Sequence, residues 1–158
     1  MVLQEIARGA RHLSNAYKTK PGLKAIANTI GIYGGTKLIG ALGTVVTGNR
    51  DIDEIADMVA PVLSGAYALN ESKKIKNGGL KNITQILLAG AIGGDLAGEI
   101  YNYHGANDTL RGIRDIYTNA YVKVANTINC HSPSKVGFGI GVVCGTLAKI
   151  VQYYQKEK

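Results

Sequence analysis

The chain has 158 residues, enough for one domain or one array of small repeats that buries a core without disulfide staples. Gly supplies 21 residues, Trp is absent, and Phe and Met number 1 and 2, which excludes a core built on bulky side chains and leaves packing to Ile, Leu, Val, Ala, Tyr and close backbone contact. A net charge of +7 with a pI near 9.4 favours polyanions or anionic lipid surfaces as partners, and two cysteines are too few for a disulfide framework.

In chain order, LQEIARGARHLSNAY opens with Leu3, Ile6, Ala10, Leu13 and Tyr17 on one helical face. It has no apolar run behind a basic start, so no secretory signal is expected there. The basic linker KTKPGLK leads into AIANTIGIYGGTKLIGALGTVVTG, a Gly-rich apolar helix. A second amphipathic helix, IDEIADMVAPVLSGAY, begins behind Asn49 as N-cap, with acids suited to the helix dipole. Pro61 inside it predicts a kink or a restart. KKIKNGGLK follows, then the Gly-rich NITQILLAGAIGGDLAGEIYNY. A third amphipathic helix starts behind Asn107 and reads NDTLRGIRDIYTNAY. VKVANTINCHSPSK then connects to VGFGIGVVCGTLAKIVQYY.

The words SNAY, SGAY and TNAY close the three amphipathic segments at Tyr17, Tyr67 and Tyr121. The Gly-rich segments also align, as Gly31-x-x-Gly34-Gly35, Gly90-x-x-Gly93-Gly94 and Gly141-x-x-Cys144-Gly145. The expectation is an all-α single domain of six helices, in three tandem helical hairpins spanning 1–48, 49–105 and 106–158. Its period of about 50 residues falls where repeats govern a fold.

Each Gly in a helix interior costs about 1 kcal/mol against Ala, so repeated glycine implies close helix contact in return. Gly31 and Gly35, then Gly90, Gly94 and Gly98, then Gly137, Gly141 and Gly145 form period-four rows and are the expected helix-packing residues. Such rows are typical of membrane helices, and a span needs about 20 mostly apolar residues. Lys37 interrupts the first Gly-rich helix, Asp95 and Glu99 interrupt the second, and Lys149 bounds the third. The mean hydropathy of +0.03 is equally suited to a soluble bundle. Lys37 and Lys149 would have to face a partner or reach an interface, and the two acids would need cover.

The lysines gather in the linkers. Lys18, Lys20, Lys24, Lys73, Lys74, Lys76, Lys81 and Lys135 are the expected anionic-surface contacts, with Lys123 on the other flank of the third linker. Hairpins stacked side by side would bring all three linkers to one end, opposite a mixed end carrying Arg50, Asp51, Asp53, Glu54, Asp108 and Arg111. A lysine-rich end suits anionic headgroups or a phosphate backbone.

No constellation for catalysis stands out. His12, His104 and His131 are scattered, and the Cys130–His131 neighbours do not make a metal site. GIYGGTK has Thr and Lys in the wrong order for a phosphate loop and no strand before it. NRDIDEIAD lacks the calcium-loop pattern. Asp95 and Glu99 share a helix face, and an exposed face or pairing with a Lys of a neighbouring helix is the simplest use for them. Cys130 and Cys144 read first as separate thiols, with Cys144 as a small core hydrophobe, and a bridge between them across the loop-to-helix junction is the alternative. The resulting expectation is a non-enzymatic, self-assembling helical protein, without cofactor, metal or small-molecule substrate, associated with or inserted in a membrane. It would serve as a lattice, envelope, filament or pore subunit. The alternative is a soluble basic scaffold that packages nucleic acid on its Lys-rich linkers.

Overall fold

The computed structural model describes residues 14, 15 and 17–156. Most of the first amphipathic segment, with its expected Leu3–Tyr17 face, lies outside the described residues. Helices α1 (Pro21–Thr47), α2 (Asp51–Ser72), α3 (Gly78–Tyr101), α4 (Asp108–Ile128) and α5 (Pro133–Lys156) follow one another, and residues 14, 15 and 17–19 are also helical. The fold is all-α, with no strand among the described residues.

Local chemistry sets the helix ends. Pro21 occupies the first turn of α1, where its missing N–H is not needed. Gly48 ends that helix at φ 71°, in the left-handed region where a Cβ is penalised, and its N–H returns to the Thr44 carbonyl at 2.8 Å. Asn49 accepts from the Asp51 N–H at 3.0 Å, one residue ahead of the formal N-cap Arg50. Asn77 and Asn107 are side-chain N-caps, accepting from Leu80 N at 2.9 Å and Leu110 N at 3.1 Å. α2 runs as one helix through Pro61, so the expected restart does not occur. Its buried Ser64 hydroxyl donates to the Ala60 carbonyl at 2.7 Å.

Neighbouring helices are antiparallel, as the register of contacts records. On α1 and α2, Gly40 meets Ala56 and Gly43 meets Ile52. Between α2 and α3, Asp51 pairs with Tyr103, Gly65 lies on Ile92, and Gln85 donates to Ser72 at 2.9 Å. The partner of α5 is α3 rather than α4: Gly98 lies on Ser134, Gly93 on Gly137 and Gly141, and Gly145 on Ala89 and Ile86. α4 packs more loosely: it meets the start of α5 in a small cluster of Tyr121, Ala125 and Val136, edged by Tyr117 and Cys130, and it meets α3 at Tyr101. The Tyr121 ring stands edge-on to Tyr101 at 5.4 Å and stacks with Tyr117 at 6.3 Å.

The α3–α4 connection is tied to the start of α2. Asp51 accepts from the Tyr103 hydroxyl at 3.0 Å and from Ala106 N at 2.7 Å, while Glu54 accepts from His104 N and Gly105 N, both at 2.8 Å. Tyr103 is 1% exposed, and burial, opposed by the Asn107 N–H and reinforced by Asp51, pushes its phenol above the usual range. The Tyr103→Phe variant is expected to lose about 1–2 kcal/mol of stability, read as a lower thermal midpoint, because Asn107 N and Asp51 lose a partner.

Candidate membrane surface and interhelical charge cluster

Very little apolar side chain is withdrawn from solvent. Among the described residues the buried hydrophobics are Ala60, Ala97, Tyr103, Tyr121, Ala125 and Val136. The accessible surface of 10848 Å² exceeds the ~7,600 Å² expected for a compact monomer of this mass. Ile39, Val45 and Val46 on α1 are 72%, 80% and 82% exposed, and α5 presents Ile140, Val143, Leu147, Ile150 and Val151. Three helices, α1, α3 and α5 over Pro133–Gln155, are long and apolar enough to cross a membrane. At 1.5 Å per residue, the 27 residues of α1 and 24 of α3 exceed the ~30 Å of a hydrocarbon core.

Glycine controls how α3 and α5 meet. A Cβ added to Gly93 would lie 2.6 Å from the Gly137 carbonyl oxygen, and one on Gly137 would strike the Gly93 carbonyl in return. Gly141 faces the backbone of Ala89 and Gly90, Gly94 faces the Ser134 carbonyl at 2.8 Å, and Gly90 faces Val142 and Phe138. Backbones this close permit Cα–H···O contacts and extensive dispersion, which hold helices together even where lipid removes the hydrophobic effect. Gly90, Gly94, Gly98, Gly137, Gly141 and Gly145 therefore lie on one seam. Gly31 and Gly35 are not on this seam: among the described residues nothing lies within 4 Å of a Cβ added at either of them or at Gly34. The close approach on α1 falls instead further along, at Gly40 and at Gly43, the latter two steps of four beyond Gly35.

The charges interrupting the apolar helices are brought together. Lys37 of α1 pairs with Asp57 of α2 at 2.9 Å and with Glu99 of α3 at 2.8 Å, and its ammonium sits 5.2 Å from the Tyr33 ring centre. Asp95 lies beside the Tyr33 hydroxyl, and both line a shallow groove floored by Ser64, Gly65 and Ala68. Lys149 of α5 donates to Gln85 of α3, which hands on to Ser72 of α2. Of the two acids for which a neighbouring Lys is one expectation, Glu99 has it and Asp95 lies beside Tyr33 instead; Asp57 is not anticipated by the sequence, its place among other α2 acids giving no separate signal. No buried side-chain polar atom among the described residues lacks a partner.

The antiparallel order puts exposed Lys18, Lys20, Lys24, Lys73, Lys74 and Lys76, with half-buried Lys81, at the end where α1 and α3 begin. Lys135 does not join them. The contact of Gly98 with Ser134 places it at the opposite end, beside Tyr103 and the α1–α2 turn, because α5 starts where α3 finishes. Cys130 and Cys144 are free thiols, and Cys144 is exposed on α5 rather than packed in a core. Tyr17 and Tyr67 are joined through Asn28, whose carbonyl accepts from Tyr17 and whose amide donates to Tyr67, each at 2.8 Å. Tyr121 is used differently, in the ring cluster with Tyr101 and Tyr117.

No family model matches the chain, and no match is found among curated proteins or solved structures.

Proposed function

We propose that this chain is a non-enzymatic integral membrane protein that self-associates as a structural or pore-lining subunit. The observation that carries the reading is the pairing of exposed apolar surface on three span-length helices with a charge cluster that satisfies itself between helices. In water, so large an apolar surface would drive aggregation, whereas in lipid it is solvated. α1 and α3 both begin at the Lys-rich end, so α2 must carry the chain back across. Its own polarity is not an obstacle, since Asp57 is paired and Ser64 bonds to backbone. The lysines of the α2–α3 connection then favour the cytoplasmic, anionic face of the bilayer. No described residue lies against Gly31, Gly34 or Gly35, and this small-residue face of α1 is where another copy would pack.

Flotation of purified protein with anionic liposomes tests the reading. Flotation that persists in high salt and is abolished only by detergent is the expected result. Flotation lost in salt, or a monodisperse species without detergent, would overturn insertion and bring forward nucleic acid as the partner of the lysines. The triple reversal Lys73→Glu, Lys74→Glu and Lys76→Glu is expected to leave helicity by circular dichroism unchanged. It should weaken capture by anionic vesicles at low salt by about 1 kcal/mol per lysine contact removed.

A further inference from the structure

We infer that α4 is an interfacial helix that lies along the bilayer surface at the end away from the lysine cluster, with its apolar stripe against the headgroup–acyl boundary. The inference rests on the membrane reading and adds a topology and a lipid contact to it. α3 and α5 are antiparallel span-length helices. Gly98 against Ser134 shows that the end of α3 and the beginning of α5 share one side. The chain between Tyr101 and Pro133 therefore leaves the bilayer and re-enters from the same side, and the 21 residues of α4 make the link without crossing. Like α2, α4 is not apolar enough to cross on its own, but α2 is packed between α1 and α3, whereas α4 has only limited contact with its neighbours.

Its residue pattern suits that position. Leu110, Ile113, Ile116, Tyr117, Ala120, Tyr121, Val124 and Ile128 recur at helical spacing, against Asp108, Asp115, Asn119 and Asn126 on the other side. The protein covers one edge of this stripe, burying Tyr121 and half-burying Leu110 and Tyr117, and Val124 and Ile128 border an open groove beside Val136, Ile140 and Val143 of α5. Ile113, Ile116, Val124 and Ile128 remain exposed, Ile116 by 73%, so the stripe is wider than the protein surface beneath it. Arg111 and Arg114 fasten the start of the helix to the loop carbonyls of Gly105 at 3.0 Å and Tyr103 at 3.1 Å, and Lys123 is exposed to reach headgroup phosphates. The Tyr101, Tyr117 and Tyr121 rings gather at the same level, where aromatic side chains are favoured in membranes. An amphipathic helix so placed buries its apolar face about 5–10 Å below the headgroup boundary. The occupant of the stripe is thus phospholipid of the same bilayer that receives α3 and α5.

The test uses the full chain in phosphatidylcholine–phosphatidylglycerol liposomes with an environment-sensitive thiol fluorophore. Native Cys144, in a Cys130→Ser background, reports on α5. Ile116→Cys and Asn119→Cys, each in a Cys130→Ser/Cys144→Ala background, report on the two faces of α4. The expected result is quenching of the residue-116 label by a shallow lipid-attached nitroxide more than by a deep one, with the residue-119 label open to aqueous iodide. Equal access of iodide to both α4 labels, with the Cys144 label still in lipid, would overturn the interfacial placement and leave insertion standing. A residue-116 label shielded from both quenchers would overturn it in favour of a protein partner. Iodide reaching the Cys144 label as well would overturn the membrane reading itself.

Discussion

Replacing Gly137 by Leu is expected to pull α5 away from α3 and to be the most damaging single change in the molecule. A Cβ there meets the Ala97 side chain and the Gly93 carbonyl, and neither backbone can yield without moving a whole helix. Overpacking of a well-fitted contact costs about 1–3 kcal/mol, and a clash against backbone belongs at or above the top of that range. Gly94→Leu should behave similarly, since Ser134 O lies 2.8 Å from its Cβ position and Phe138 follows closely. The comparison that gives the experiment its edge is Gly31→Leu or Gly35→Leu, where a side chain meets none of the described residues. Those variants should keep the wild-type thermal midpoint and protease resistance in detergent and change only association between copies. A Gly137→Leu protein that melts with the wild type would show that glycine contact does not hold these helices.

This contrast also marks what was legible in the amino-acid order. The helices themselves were legible, because apolar spacing, Asn caps and the Pro and Gly punctuation all act within a few residues. What a glycine row faces is not local. Gly31 and Gly35 have the spacing of Gly90 and Gly94, yet one pair lies open and the other is pressed against α5. A row of glycines states that a backbone can be approached, and the approaching partner is chosen by the rest of the fold. On α1 that partner is α2, which meets Gly40 and Gly43 a few turns further on.

The lysine-rich end was legible as far as simple alternation of helices could carry it. Lys18–Lys24 and Lys73–Lys81 come together because α1, α2 and α3 alternate in direction. Lys135 breaks the rule because α4 does not run back along α3. The repeated Ala-Tyr word does not carry a common side-chain contact: Tyr17 and Tyr67 share Asn28, whereas Tyr121 packs on rings. Equivalent words in a sequence here occupy inequivalent surroundings, so side-chain roles do not transfer from one unit to the next.

The Lys37→Met variant probes the remaining feature, and its magnitude discriminates between lipid and water. The change keeps the apolar stem of Lys37 but leaves Asp57 and Glu99 without their shared cation. The Lys37 and Asp57 side chains are each 30% exposed and Glu99 is 25% exposed in the isolated chain. In water, such half-open pairs contribute about 0.2–1 kcal/mol each, so the variant should lose little and ionic strength should mask even that. In a bilayer the same exposed edges face hydrocarbon, and removing one partner of a desolvated pair costs about 3–5 kcal/mol. We expect the larger loss, measured as reduced stability or yield of the reconstituted protein. Neutralising the stranded acids should reverse it, so Lys37→Met with Asp57→Asn and Glu99→Gln should recover most of the loss, whereas either acid variant alone on wild-type Lys37 should not stabilise. A small, salt-sensitive effect without recovery in the triple variant would mean that the cluster sits in water. The apolar faces of α1 and α3 would then have to be covered by protein rather than lipid.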